Sequence, residues 1–249
     1  MKLRYIYLLV FALTTFVACE KSTTSSSSAG TGTGGSTARF TIAKGYLYVV
    51  DGNELHAFSL QNPAAPQQVY SLPLSFINSV ETIFPWKDKL FIGSTTGMFI
   101  VSIADPAQPV AEGMVEHIAA CDPVVADDAY AYVTVRSAGN CGHDINALYV
   151  YDVSTSIQSP SEVFEGNMNN PQGLALYNNH LYVCDGSSGL VVFDLQNRAS
   201  PKKLIVKEGY NFLDCIPVND VLICMVEKGM VLYDISHPAE PQKLSEIIN

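Results

Sequence analysis

The sequence predicts an all-β protein made of tandem four-stranded units, and three observations carry this prediction. Of the 249 residues, 48% are hydrophobic and 15% are charged, which is typical of a globular chain with a substantial core. The 13 Tyr and 11 Phe, with many Val, Ile and Leu, stand in short runs rather than at helical spacing. Similar phrases also recur along the chain at a nearly constant period.

The repeat is clearest around prolines in equivalent positions. The phrase FIVSIADPAQPV at 99–110 closely matches LYDISHPAEPQKL, which starts at Leu232. Five units align in this way, and their equivalent prolines are Pro66, Pro109, Pro160, Pro201 and Pro241. The period is therefore about 41 residues, with an insertion of about ten residues in the third unit.

Each unit contains enough strand-like segments for one four-stranded sheet. An apolar stretch, a strand such as LYV, a second β-rich run such as GLVVFDL and a short last strand follow one another, with a proline turn before the last strand. Four strands repeated about every 40 residues are typical of β-propeller blades. We therefore predict a five-bladed β-propeller of four-stranded antiparallel blades over residues 38–249. A right-handed parallel β-helix is the alternative, but its coils are shorter than this period.

The repeats also resemble a known family. FIVSIADPAQPV, VVFDLQNRASP and LYDISHPAEP are similar to the LVIVD repeat, named for a Leu-Val-Ile-Val-Asp strand and found in bacterial propellers. The resemblance runs from Ala38 to the C-terminus and implies a secreted or surface-attached propeller, in a family mostly without an assigned activity. FIVSI and LHAFSL lack the aspartate, so the motif is loose in this chain.

Ring closure is predicted to rest on side-chain packing. ARFTIAKGYLYV supplies the inner strand of the first unit, and QKLSEII already supplies the outer strand of the fifth. Neither terminal unit lacks a strand, so no strand needs to be lent across the junction. We expect the ring to close by packing between blades five and one, and to fray there first.

The N-terminus predicts a lipoprotein signal peptide. MKLR is basic, about thirteen mostly apolar residues follow, and Phe16-Val17-Ala18-Cys19 resembles the bacterial lipobox, with Phe16 in place of the usual Leu. A transmembrane anchor is the alternative, but the apolar run is shorter than the roughly 20 residues that span a bilayer. We expect cleavage after Ala18 and lipidation of Cys19, with acyl chains such as palmitate holding the protein on a membrane.

These signals give the predicted domain organisation. Residues 1–18 form the signal peptide, and 19–37 form the lipidated cysteine and a flexible Ser/Thr/Gly tether, since EKSTTSSSSAGTGTGGST is too polar to order itself. The propeller follows at 38–249 and is predicted to be monomeric. The predicted location is the bacterial cell envelope, on the outer membrane, in a periplasmic or surface-facing position. A net charge of -10 argues against nucleic acid as a partner.

One face of the propeller is the predicted binding surface. Turns between second and third strands, and loops between successive blades, emerge together at one mouth of the channel. Amide, aromatic and acidic groups there suit a polar ligand, although turns are commonly made of Asn, Asp and Gly in any case. The candidate residues on this face are Glu81, Asp122, His143, Asp144, Asn169, Gln172, Tyr210, Asn211 and Asp214.

Six cysteines in an exported chain raise the question of pairing. Cys121 and Cys141 are predicted to emerge on this same face, where a disulfide would close a loop of about twenty residues and contribute roughly 3 kcal/mol. A zinc site formed with His117 and His143 and a pair of free thiols are the alternatives. Cys184, Cys215 and Cys224 are expected to act as small buried hydrophobes. No metal and no cofactor is predicted.

No sequence motif names a reaction, because H-E-x-x-H, P-loop and G-x-S-x-G patterns are all missing. We therefore predict a membrane-tethered binding or scaffold module that recognises a protein, peptide or glycan of the envelope. The alternative is an envelope polysaccharide hydrolase or lyase on the same face, which needs carboxylates that converge. Its candidate acids are Glu81, Asp122, Asp144 and Asp214.

Overall fold

The computed structural model describes residues 35–74, 80–116, 123–137 and 145–248. All of the elements in these residues are strands, and they form five separate sheets of four strands each. Every sheet is antiparallel, and each consists of four strands that follow one another in the chain. The predicted five-bladed β-propeller is confirmed.

Strand bounds follow the repeat. Blade 1 contains β1 (Phe40–Ala43), β2 (Tyr46–Asp51), β3 (Glu54–Ser59) and β4 (Gln67–Pro73). Blade 2 contains β5 (Val80–Trp86), β6 (Lys89–Ser94), β7 (Gly97–Ser102) and β8 (Val110–Glu116). Blade 3 contains β9 (Val124–Ala126), β10 (Tyr130–Val135), β11 (Ala147–Asp152) and β12 (Ser161–Asn167). Blade 4 contains β13 (Leu174–Tyr177), β14 (His180–Cys184), β15 (Leu190–Asp194) and β16 (Lys202–Lys207), and blade 5 contains β17 (Phe212–Val218), β18 (Val221–Val226), β19 (Gly229–Asp234) and β20 (Gln242–Ile248).

Tight turns join the first and second strands of four blades. Each has two residues, and left-handed backbone conformations occur at Lys44, Lys87, Asn178, Asn179 and Asn219. Two-residue hairpins favour such conformations because their twist matches that of the flanking strands. Asn tolerates them better than most residues, which accounts for the Asn-Asn and Asn-Asp pairs at 178–179 and 219–220.

Packing between neighbouring blades forms the core. Four hydrophobic clusters join blades 1 and 2, 2 and 3, 3 and 4, and 4 and 5. Side chains alternate along each strand, so every middle blade has one apolar face for each neighbour. The outermost strand of each blade is much more exposed, as in β20, where all seven residues are exposed. Cys184, Cys215 and Cys224 are buried and unpaired in the last cluster, which confirms their predicted role as small hydrophobes.

Tyrosines in the second strands clamp successive blades together. The hydroxyls of Tyr48, Tyr132 and Tyr182 each donate to a backbone carbonyl in the third turn of the next blade, at 2.8, 3.2 and 2.8 Å. Their acceptors are Pro106, Arg198 and Pro238 respectively. Each tyrosine is completely buried, and this burial raises the pKa of its phenol. The clamps therefore add directional hydrogen bonds to apolar packing between blades.

The expectation that apolar packing closes the ring is wrong for the described residues. None of the four hydrophobic clusters combines side chains of blade 5 with side chains of blade 1. Phe40 of β1 is 59% exposed and Met225 of β18 is 53% exposed. In contrast, Leu90 and Ile92 of blade 2, which face blade 1, are fully buried. Blades 1 and 5 thus each keep one apolar face uncovered.

A polar contact links the start of the described chain to blades 4 and 5 instead. The hydroxyls of Ser36 and Thr37 donate to the carboxylate of Asp214 at 3.2 and 2.6 Å. Ser36 also accepts a hydrogen bond from the backbone N–H of Leu174 at 2.7 Å. Two residues later, the carbonyl of Ala38 accepts from the N–H of Ile83 in blade 2. We call Ser36, Thr37 and Asp214 the leader latch, because they hold the chain just before β1.

Several predictions fall outside the described residues. They concern the signal peptide, the tether up to residue 34, the lipidation of Cys19, the pairing of Cys121 with Cys141, and the contributions of Asp122, His143 and Asp144 to the binding face. The same holds for the side chain of Glu81. The last predicted tether residues, Ser36 and Thr37, are instead hydrogen-bonded to Asp214. In the part of the chain that the structure describes, no helix is long and apolar enough to cross a membrane.

Candidate functional site

The described members of the predicted binding face come from two loops between blades. Asn169 and Gln172 lie between β12 and β13, and Tyr210 and Asn211 lie between β16 and β17. Asp214 is the third residue of β17. The structure therefore places all five on the expected side of blades 4 and 5, and the contacts of each show what its polar groups do.

Asn169 is engaged with a buried carboxylate of blade 4. Its backbone N–H and its side-chain amide donate to Asp185 at 3.0 Å, and the N–H of Asn170 donates to the same carboxylate at 2.7 Å. Asp185 is only 2% exposed and lies in the turn between β14 and β15. The carboxylate of Asp185 therefore holds the loop between blades 3 and 4 against the turn between β14 and β15. Both Asp185 and Asn169 thus serve the fold.

Gln172 lies close to Asp214 of the leader latch. The N–H of Gln172 donates to the carbonyl of Cys184 at 2.7 Å, and its carbonyl accepts from the hydroxyl of Thr134 at 2.6 Å. A Cβ on Gly173 would lie 2.0 Å from an oxygen of Asp214, so only glycine fits between them. Burial raises the pKa of Asp214, although the hydrogen bond from Thr37 opposes this shift.

Tyr210 is turned away from this group. Its hydroxyl donates to the carboxylate of Glu246 and accepts from the ammonium of Lys243, in a groove along the outer strands of blades 4 and 5. Asn211 donates to Glu227 at 3.3 Å, while its side-chain oxygen is buried without a hydrogen-bond partner. The described groups of the predicted face thus mostly serve the fold, and their role in ligand binding stays a prediction.

A cavity of about 310 Å³ lies at the opposite mouth of the propeller, where the inner strands end. Blades 2, 3 and 4 contribute to it through the ends of β5, β9 and β13 and the turns that follow, and blade 4 also through the turn between β15 and β16. Its walls combine apolar and aromatic side chains with amides, a histidine and charged groups. We call it the axial cavity, and its main lining residues are Phe84, Trp86, Asp127, Tyr177, His180 and Arg198.

Trp86 is held firmly at the edge of this cavity. Its indole N–H donates to Asp128 at 2.8 Å, and Lys87 forms an ion pair with the same carboxylate at 2.5 Å. The hydrogen bond from Lys87, followed by that from Trp86, lowers the pKa of Asp128. The carboxylate therefore stays ionised to a lower pH than usual and keeps its hold on the indole. The indole ring packs against the core between blades 2 and 3, has the ammonium of Lys87 5.9 Å from its centroid, and also borders the axial cavity.

The charges around the axial cavity are paired with one another. Arg198 forms an ion pair with Asp127 at 3.3 Å and donates to the side chain of Asn179 at 3.3 Å. Asp127 also accepts from the backbone N–H groups of Ala129 and Tyr130, at 2.8 and 2.9 Å. Together with the pair of Lys87 and Asp128, this leaves aromatic surface and amide groups without a dominant charge of either sign.

Comparison with known proteins begins with the repeats. The family model described as LVIVD repeat matches residues 34–72 and 170–211. The chain carries LVIVD repeats. The matched segments correspond to blade 1 up to Leu72 and to all four strands of blade 4, and the other blades have the same strand order. No match to the sequence is found among the curated proteins.

Solved structures share the fold of this LVIVD-repeat propeller. A protein from Lactobacillus plantarum is 13% identical, with a TM-score of 0.63. This match covers 83% of this chain and 69% of that protein. The periplasmic gluconolactonase PpgL of Pseudomonas aeruginosa is 12% identical, with a TM-score of 0.60. This match covers 82% of this chain and 69% of PpgL. AztD of Citrobacter koseri is 11% identical, with a TM-score of 0.58. This match covers 83% of this chain and 61% of AztD. The match therefore spans 61% to 69% of the length of these chains.

The sequence held one signal for the axial cavity of the LVIVD-repeat propeller. Trp86 is the single tryptophan of the chain, and it stands directly before the first turn of its repeat, beside Phe84. The equivalent position in the fourth repeat is Tyr177. Aromatic residues at the same place in two repeats indicate that first turns meet around the axis. The binding surface predicted from the sequence lies on the other face, so this cavity is a finding of the structure.

Proposed function

We propose that this protein is a membrane-tethered binding module of the bacterial cell envelope that recognises a glycan in its axial cavity. The observation that carries the proposal is the combination of a fixed indole, a phenol and mutually paired charges around one concave site. Concave sites with aromatic walls and a few polar groups are the usual form of small-ligand sites.

The chemistry of the cavity fits a neutral polyhydroxylated ring. The C–H face of a sugar is apolar and packs on a flat aromatic surface, while its hydroxyls need hydrogen-bond partners. Trp86 and Tyr177 offer the aromatic surfaces, and the side-chain amides of Asn178 and Asn179 are exposed at the rim. An anion or cation would have to compete with the existing ion pairs of Arg198 and Lys87.

The envelope location rests on the N-terminal sequence. Basic residues, a short apolar run and Cys19 support lipidation, and the Ser/Thr/Gly segment before residue 35 supports a flexible tether. Such an arrangement would hold the domain on the outer membrane, within reach of envelope glycans. PpgL, which has the same fold, is a periplasmic protein, and it shares only the fold with this chain.

An envelope polysaccharide hydrolase or lyase is the second candidate. Asp127 and His180 line the same axial cavity, and an acid with a histidine could serve as a general acid and base. The carboxylate of Asp127, however, already accepts from two backbone N–H groups and pairs with Arg198. This commitment favours binding over proton transfer as the function of the site.

Trp86 provides a direct test, because it is the only tryptophan and therefore the only indole fluorophore. We expect titration with β-linked hexose and N-acetylhexosamine oligosaccharides to change its emission with saturation. Trp86→Phe, read by calorimetry, is expected to weaken binding about tenfold, and Trp86→Ala to weaken it by a hundredfold or more. Product analysis of the same mixtures separates binding from hydrolysis.

Matched variants locate the effect. Tyr177→Ala removes an aromatic surface at the axial cavity, whereas Tyr210→Ala removes one on the opposite face. We expect only the first to lower affinity. Unchanged tryptophan emission throughout the panel, or an equal loss of affinity in Tyr210→Ala, would contradict a glycan site at the axial cavity.

A further inference from the structure

We infer that the glycan proposed for the axial cavity is a chain of several sugar units, which continues over His180 into a second cavity at the third turn of blade 5. This inference rests on the proposed function and adds to it the length and the course of the ligand. It depends on a residue shared by the two cavities, on the rigidity of the third turn of blade 5, and on the polar groups that line the second cavity.

The second cavity lies on the same face of the propeller as the axial cavity. Its volume is about 500 Å³, and its lining includes His237, Pro238, Glu240 and Gln242 of blade 5. First and third turns of an antiparallel four-stranded blade emerge at the same end of the strands. His180, which directly follows the first turn of blade 4, lines both cavities. A chain that leaves the axial cavity over His180 therefore enters the second cavity.

The third turn of blade 5 is held in place without a ligand. The carbonyl of Pro238 accepts from the hydroxyl of Tyr182 at 2.8 Å, which fixes the turn to the strand that carries His180. Within the turn, the N–H of Glu240 donates to the carbonyl of His237 at 3.0 Å. The second cavity is therefore largely preformed, as small-ligand sites usually are, and binding does not have to order this turn.

Polar groups of the second cavity suit the hydroxyls of a sugar. His180 Nδ1 lies 2.9 Å from the carbonyl of Asn178, which can only accept, so in the neutral ring Nδ1 carries the proton and Nε2 can accept from a hydroxyl. The amide nitrogen of Gln242 donates to the carbonyl of Glu240 at 3.1 Å, which leaves the side-chain oxygen as an acceptor. Among the described residues that line this cavity there is no Lys or Arg, so a neutral glycan is favoured over an anionic one.

The axial cavity alone is small for a glycan chain. Its volume of about 310 Å³ is near the lower end of the range of about 300 to 1,000 Å³ for ligand sites, which suits one end of a chain. The ion pair of Arg198 with Asp127 occupies one border of this cavity, whereas His180 stands at the border toward blade 5. The next sugar units are therefore expected on the side of blade 5.

Oligomers of increasing length test this inference by calorimetry with the full-length chain. The probes are β-linked glucose and β-linked N-acetylglucosamine oligomers, from the dimer to the hexamer. We expect the dissociation constant to fall at least tenfold from the dimer to the pentamer and then to stay level. His237→Ala with Gln242→Ala is expected to abolish this gain, while its affinity for the dimer stays within twofold of the parent. Both side chains are exposed, so the unfolding temperature is expected to change by no more than about 2 °C.

Asn62→Ala with Gln67→Ala is the matched control, because these exposed residues occupy the equivalent positions at the third turn of blade 1. We expect this variant to keep the gain of affinity with length. Binding of the dimer without tighter binding of longer oligomers would overturn this inference and leave the proposed function intact. A gain that survives His237→Ala with Gln242→Ala, or that is lost equally in the control, would overturn it as well. No binding at any length would overturn both the inference and the proposed function.

Discussion

Tyr182→Ala is expected to lower the free energy of unfolding by roughly 3 to 5 kcal/mol, the range for removing a buried aromatic side chain. Tyr182 is completely buried between blades 4 and 5, and its hydroxyl donates to the carbonyl of Pro238. The substitution therefore leaves a cavity at a junction between blades and an unpaired carbonyl in the next blade. Chemical denaturation followed by circular dichroism measures the change.

Tyr182→Phe is the matched variant, because it keeps the ring and removes only the hydroxyl. We expect it to cost about 1 kcal/mol, the usual worth of one hydrogen bond. Tyr177→Phe serves as the control, since its hydroxyl binds Asp220 at the exposed first turns and not a neighbouring blade's third turn. Equal effects of Tyr182→Phe and Tyr177→Phe would contradict the role of the buried tyrosines as clamps between blades.

Asp214→Asn is expected to remove most of the pH dependence of the free energy of unfolding that arises from the leader latch. Burial raises the pKa of Asp214 above its ordinary value of 3.8. A carboxyl group with a raised pKa favours the folded chain when it is protonated. Its contribution is thus fully present below 3.8 and is lost as pH rises through the folded-state pKa. We expect the parent to lose stability relative to Asp214→Asn as pH rises above 4.

Asp214→Ala separates charge from hydrogen bonding. It leaves Ser36, Thr37 and the N–H of Cys215 without their acceptor, and we expect a cost of roughly 1 to 3 kcal/mol at pH 4. Asp194→Asn is the control, because Asp194 is a partly exposed carboxylate that accepts from the N–H of Gln196 in a surface turn. Parallel pH profiles for the parent and Asp214→Asn would show that burial of this carboxylate does not affect stability.

Much of the fold could be predicted from the sequence because the repeat is a property of the chain itself. Prolines such as Pro109 and Pro241 recur in the third turn of each blade, and strand-forming residues recur between them. Ring closure could not be predicted in the same way. Whether Phe40 and Met225 meet depends on the angle accumulated over five blades, which no local pattern records.

The site was less predictable for a physical reason. Asn, Asp and Tyr in loops attract attention as ligand groups, but the same residue types also satisfy backbone N–H groups in turns. Asn169 and Asp214 are engaged in this way with Asp185 and with the leader latch. The axial cavity, in contrast, is assembled from Trp86, Tyr177 and Arg198, which are far apart in sequence.

The leader latch also decides where a mechanical load enters the domain. A pull on the residues before Gly35 reaches Ser36 and Thr37 first, and it is shared between Asp214 of blade 5 and the amide of Leu174 in blade 4. Strand β1 would bear tension only after those hydrogen bonds break. A domain anchored through its N-terminus would thus pass force to the opposite end of its own chain before its first sheet begins to peel.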